Sequence, residues 1–196
     1  MTIIVGLTGG IGMGKSTCAK ILRNQGVPVF EADRYVHRLL NKGGGAVAAV
    51  ARVFPATFDA RGKKINRQKL GRLVFGSASA RKRLEAIIHP LVRTAEERFI
   101  RRARRAAVRL AVLDIPLLFE TRADALVDQV WVVTAPSRIQ AARVLARQGM
   151  TPQKWAAIRA AQMNNRARLR RADAVINTHQ PLEKLTQDLQ ARIARL

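Results

Sequence analysis

Nine residues near the N-terminus, Gly9-Gly10-Ile11-Gly12-Met13-Gly14-Lys15-Ser16-Thr17, satisfy the pattern G-x-x-x-x-G-K-[ST] and constrain this chain more than any other stretch. Gly9 and Gly14 take the two fixed glycine places, Lys15 the lysine and Ser16 the hydroxyl. A turn without Cβ atoms lets successive backbone N–H groups wrap a polyphosphate, the lysine reaches the β- and γ-phosphates, and the hydroxyl can ligate Mg2+. The flanks agree with this reading. Ile3-Ile4-Val5-Gly6-Leu7 is a short, largely β-branched run that reads as a buried parallel strand. Residues 17–23 have helical spacing, with Cys18, Ile21 and Leu22 on one face. A strand, a glycine loop and a helix N-terminus together make an anion site. The stretch therefore implies a nucleoside triphosphate held by Gly12, Met13, Gly14, Lys15, Ser16 and Thr17.

With 196 residues, of which 48% are hydrophobic, the chain suits one α/β domain with modest insertions. No segment approaches eighteen consecutive apolar residues and no leader pattern opens the chain, so a cytoplasmic protein without a membrane partner is expected. Cys18 is the single cysteine, which excludes an internal disulfide and a cysteine-based metal site. Thirty-six Lys and Arg against thirteen Asp and Glu give a net charge of +23. Residues 61–110 alone carry sixteen bases and three acids. A solvated basic face is the preferred reading, ahead of attraction of a small polyanionic substrate. Dedicated nucleic-acid binding ranks last. A monomer or weak homo-oligomer is expected.

Along the chain, Gly26 ends the first helix and Val27-Pro28-Val29-Phe30 forms a second strand, finishing at Glu31-Ala32-Asp33. A carboxylate at the carboxyl end of a parallel strand sits where open α/β sheets bind ligands, which makes Asp33 a site candidate. The alternative is an N-cap for a helix beginning at Arg34. Residues 34–110 read as helical with breaks at 43–45, 54–62 and 76–77, and with no strand. His89-Pro90 closes an apolar helical stretch, where His89 either satisfies helix-end carbonyls or contacts substrate. Residues 108–114 form a third strand closed by Asp114, the arrangement that sets an acid beside a loop-bound Mg2+. An apolar loop then leads to Glu120, and residues 127–133 and 174–177 supply the fourth and fifth strands. Between these two, Ser137 is expected to cap a helix over 138–148. Thr151 and Pro152 start the next helix as N-cap and N1. Arg143 and Arg147, four apart, share a face on that first helix and could clamp a transferring phosphate as a lid closes.

These motifs together resemble the dephospho-coenzyme A kinase family along nearly the whole chain. The resemblance rests on residues 4–12 running into Gly14-Lys15-Ser16-Thr17, then Ala32-Asp33, Arg67, Leu70, Val74-Phe75, Leu84-Glu85 and His89-Pro90. It continues in Pro116-Leu117-Leu118-Phe119-Glu120, Arg143 with Arg147, Ala161-Gln162-Met163 and Ala172-Asp173 before Val175-Ile176. It implies a P-loop NTPase fold, a five-stranded parallel sheet flanked by helices. The nucleotide core would comprise residues 1–33, 108–136 and 173–196. Residues 34–107 would form a helical acceptor-binding insertion and 137–172 a helical lid.

The activity implied is transfer of the ATP γ-phosphate to the ribose 3′-hydroxyl of dephospho-coenzyme A, with Mg2+ as cofactor. Lys15, Asp33, Arg143 and Arg147 would be catalytic, with Asp33 accepting the hydroxyl proton. Ser16 and Asp114 would serve the metal. Thr8, Asp33, His89, Pro116, Leu117 and Glu120 would line the acceptor pocket, and the loop beginning at Asn177 would lie against adenine. Met13, Glu31, Asn66 and Thr178 depart from the family pattern, and at Met13 only the backbone is expected to matter. From the residues alone, another nucleoside or nucleotide kinase, a nucleic-acid-stimulated ATPase and a non-catalytic nucleotide-binding module stay open.

Overall fold

In the computed structural model, which describes residues 1–196, the chain begins with β1 (Ile3–Thr8), α1 (Lys15–Asn24) and β2 (Val29–Glu31). There follow α2 (Ala32–Leu39), α3 (Val47–Val53), β3 (Phe58–Asp59), β4 (Lys64–Ile65), α4 (Arg67–Phe75) and α5 (Ala78–Arg105). The last part holds β5 (Leu110–Asp114), β6 (Gln129–Thr134), α6 (Ser137–Leu145), α7 (Pro152–Ala161), α8 (Asn165–Arg170), β7 (Ala174–Asn177) and α9 (Leu182–Ala194). Residues Met1–Glu31 and Phe99–Leu196 form one compact unit and Ala32–Arg98 another, with the division falling inside α5.

The first unit is built on a parallel five-stranded sheet in the order β2-β5-β1-β6-β7. Central β1 is covered on both faces, so Ile4, Val5 and Leu7 are all fully buried, as continuous apolar strands of parallel sheets are. Trp131, Val133, Leu22, Leu185 and Leu189 pack into the same core, and Arg192 lies over the Trp131 ring at 5.7 Å. The chain runs from β1 outward to β2 on one side, then to β6 and β7 on the other. The strand order thus reverses at β1, where ligand crevices form at the carboxyl ends of the strands.

Three strands are shorter than the sequence pattern predicts; β6 starts at Gln129 rather than at residue 127, and β2 and β5 are each set back for a local reason. Pro28 has no N–H to give, so only its carbonyl joins the sheet, accepting from Val112 at 2.9 Å, and β2 begins one residue later. Val108 is held back by the end of α5, where Ala107 has a positive φ of 49° and Val108 N–H donates to the Ala103 carbonyl. The end of α1 follows the same rule with the residue best suited to it. Gly26 has φ 77°, its N–H bonds the Arg23 carbonyl and that of Val27 the Leu22 carbonyl.

The second unit packs Leu39, Leu40, Val50, Phe54, Ile65, Leu70 and Ile88 into its own core. A two-residue hairpin, β3 with β4, stands where no strand is expected. It is too short for alternation to register in the sequence, and Asp59 stabilises its turn by accepting from Gly62 N–H. Asn66, a departure from the family pattern, caps α4 by accepting from Lys69 N–H at 3.0 Å, a role for which Asn and Asp are equally suited. His89-Pro90 does not end a helix: α5 runs through Pro90 to Arg105. Pro90 removes the bond to the Ala86 carbonyl, but Leu84, Ile87, Ile88, Leu91 and Val92 on either side pack against one core and hold the helix through it.

Candidate active site

The loop between β1 and α1 takes its shape from glycines at positive φ. Gly12 has φ 76° and Gly14 φ 86°, and Gly14 is the N-cap of α1 in left-handed conformation. No side chain caps α1, so its N-terminal dipole and first-turn N–H groups are presented to whatever anion the loop receives. Lys15 and Ser16 are the first two residues of the helix. Lys15 Nζ lies 2.5 Å from Asp114 Oδ1, with the two side chains only 14% and 8% exposed. Asp114 ends β5 beside β1, in register with Leu7 on one side and Glu31 on the other. An ammonium and a carboxylate thus meet at the carboxyl edge of the sheet, with Ser16 next to Lys15 in the first turn of α1. Behind them, burial pushes the Cys18 thiol up to about 12, with the Asp114 charge adding to the rise, so Cys18 is an inert core residue.

Met13 does more than supply backbone. Its side chain is buried and its Sδ accepts from Ala135 N–H at 3.2 Å, tying the loop to the end of β6. Sequence reasoning also missed a pair of glutamines. Ile11 N–H donates to Gln162 Oε1 at 3.1 Å and the Ile11 carbonyl accepts from Gln140 Nε2 at 2.8 Å, so α6 and the end of α7 hold both backbone groups of one loop residue. Gln162 stands in the Ala161-Gln162-Met163 segment of the family resemblance; Gln140 carries no sequence signal. The Glu120 carboxylate serves the same region, accepting from Met163 N–H at 2.7 Å and pairing with Arg168 at 3.5 Å. Burial holds the Arg168 guanidinium below its ordinary value, against the opposing pull of Glu120. Thr8 is fully buried and its hydroxyl donates to the Pro116 carbonyl, while Leu117 is exposed.

The two arginines are not on one helix face. Helix α6 begins at Ser137 with Pro136 as N-cap and no side-chain cap bond, so Ser137 is not the cap, and it ends at Leu145. Arg147 lies beyond it, in a turn closed by its N–H to the Val144 carbonyl, and is exposed. Arg143 stays on the helix and donates to Thr178 twice, Nη1 to Oγ1 at 3.0 Å and Nη2 to the carbonyl at 2.8 Å. Thr178 follows Asn177, whose carboxamide accepts from His179 N–H. The start of α7 is as expected, with Thr151 accepting from Lys154 N–H and Pro152 at N1.

Asp33 and His89 belong to the second unit. Asp33 is exposed in the first turn of α2, which starts at Ala32, so it is not an N-cap. His89 is exposed midway along α5. The same unit contains a cavity of about 540 Å³ lined by Arg34, His37, Arg38, Lys64 and Arg67 among others.

Comparison with known proteins agrees with this architecture. The family described as dephospho-CoA kinase matches residues 3–183. A dephospho-CoA kinase of Paramagnetospirillum magneticum is 58% identical over 160 residues, 82% of this chain and 74% of that protein. One from Mesorhizobium japonicum is 50% identical over 194 residues, 99% of this chain and 96% of its own length. The solved dephospho-CoA kinase of Campylobacter jejuni superposes with a TM-score of 0.73 at 25% identity, covering 99% of this chain and 96% of that one. A chain with a phosphate loop on the first strand of a five-stranded parallel sheet, a strand-end acid on its lysine and this match across its length belongs to the dephospho-CoA kinase family.

Proposed function

We propose that this protein transfers the γ-phosphate of ATP to the ribose 3′-hydroxyl of dephospho-coenzyme A, giving coenzyme A and ADP. The observation that carries the reading is the Lys15–Asp114 pair at the opening of α1. In such a site the loop N–H groups of residues 12–17 hold the phosphates and the Lys15 ammonium neutralises charge building on the β,γ-bridging oxygen. A hydroxyl and a carboxylate suit Mg2+, which keeps waters and phosphate oxygens as its other ligands, so Ser16 and Asp114 would hold it. When bound, that ion would supply charge neutralisation between the phosphates.

Asp33 orients the 3′-hydroxyl and takes its proton as the new O–P bond forms and the bond to the leaving ADP oxygen breaks. A carboxylate is a weak base, which suits a loose transition state that asks little activation of the nucleophile. Arg143 and Arg147 steady the charged phosphates, residues 137–172 act as the lid, and the loop from Asn177 lies against adenine. The helical unit binds the acceptor, with His89 as a contact, and Thr8, Pro116, Leu117 and Glu120 of the first unit keep the acceptor roles that the family resemblance implies. The cations around its cavity, Arg34, Arg38, Lys64 and Arg67, suit the diphosphate that such an acceptor carries. No helix is long and apolar enough to cross a membrane, and we assign the protein to the cytoplasm as a monomer or weak homo-oligomer.

Asp33→Asn tests the assignment of the base. ATP binding should be unchanged while turnover with dephospho-coenzyme A falls at least about a hundredfold. Undiminished turnover would remove Asp33 from the reaction.

A further inference from the structure

We infer that the Thr178 hydroxyl is a positioning group that sets Arg143 against the phosphate loop. This rests on the reading of Arg143 as a phosphate-steadying residue. Thr178 is buried, and its Oγ1 donates to the Met13 carbonyl at 2.7 Å while accepting from Arg143 Nη1 at 3.0 Å. A hydroxyl has one proton and two lone pairs, so it can give to the loop and receive from the arginine at once. The second guanidinium bond, Nη2 to the Thr178 carbonyl at 2.8 Å, fixes the plane of the fork as well as its position. Arginine has five N–H donors and Thr178 occupies two, which leaves three for oxygens of a bound nucleotide.

The contact reaches the loop itself. A Cβ placed on Gly14 would lie 2.7 Å from Thr178 Oγ1 and 2.8 Å from its Cβ, so the threonine packs directly on the glycine that starts α1. Met13, the other partner of the hydroxyl, is in turn anchored through its sulfur to Ala135 N–H. Loop carbonyl, threonine and arginine thus form one chain of contacts from the phosphate loop to α6. Valine has nearly the shape of threonine but can neither give to Met13 nor receive from Arg143. Serine keeps both bonds.

The test is a double-mutant cycle on steady-state kinetics with ATP varied at saturating dephospho-coenzyme A. Thr178→Val should lower kcat/KM for ATP about tenfold, the size expected for one hydrogen bond to a charged group. Thr178→Ser should stay within about twofold of the parent. In the Arg143→Ala background, adding Thr178→Val should cost less than about twofold more, because the group being positioned is already gone. If Thr178→Val does not fold, as judged by its thermal melt, Thr178→Ala takes its place in the same cycle. Parent-like activity without the hydroxyl, failure of serine to rescue, or a full tenfold cost persisting in the Arg143→Ala background would each overturn the inference while leaving the proposed reaction standing. A costless Arg143→Ala would instead overturn the role of the arginine, and this inference with it.

Discussion

Lys15 and Asp114 lie 99 residues apart in the sequence and 2.5 Å apart in the fold, joined because β5 pairs directly with β1. The pairing puts the last residue of β5 level with Leu7, just before the phosphate loop begins. The carboxylate neutralises a lysine that is otherwise largely buried. Under the proposed reaction, the same two groups would face a triphosphate and Mg2+.

Replacing either partner should separate chemistry from folding. Lys15→Ala should lower kcat about a thousandfold, since it removes the one cation of the loop from the developing charge. Asp114→Asn should raise the Mg2+ concentration needed for half-maximal rate at least tenfold, measured by titrating the metal at fixed ATP.

Met13→Ala should destabilise the protein by about 2–3 kcal/mol in urea unfolding, because it opens a cavity in the core and leaves Ala135 N–H without its sulfur acceptor. It should also raise KM for ATP, as the loop loses an anchor. A replacement on an exposed loop position would do neither.

The pattern G-x-x-x-x-G-K-[ST] and the acid-terminated third strand made Lys15, Ser16 and Asp114 legible from residue order, because both signals are local and chemically demanding. Arg147 was misplaced for the opposite reason. Its grouping with Arg143 assumed that α6 continues to residue 148, whereas the helix ends at Leu145 and no residue there marks the stop strongly. The helix-end alternative for His89 fails because core packing on both sides of Pro90 carries α5 through it. What Gln140, Gln162 and Thr178 do is not legible in residue order, because their work is done on partners more than thirty residues away. Polar residues on helices and loops carry no mark of what they will meet.

Cys18 should resist alkylation. Burial and the neighbouring Asp114 charge hold its thiol near a pKa of about 12, so the thiolate is scarce at pH 7.5. Native protein treated with a maleimide should show no adduct by mass spectrometry over an hour, and denatured protein should label completely.

Glu96 should make stability depend on pH. Burial raises its carboxyl above the ordinary value, against the pull of Arg93 at 3.9 Å. Its favourable contribution is therefore present below the unfolded carboxyl value of about 4.3 and is lost as pH rises through the raised one. Glu96→Gln should accordingly raise Tm by about 2 °C at pH 7.5 and by less than half of that near pH 4.

The most direct test of the proposed reaction is ADP release measured in a coupled assay with ATP and Mg2+, comparing acceptors. Dephospho-coenzyme A should accelerate ADP release at least about a hundredfold over the rate without acceptor, whereas adenosine, AMP and nucleic acid should not. A rate indifferent to dephospho-coenzyme A, or one raised as much by any of the other three, would contradict the account.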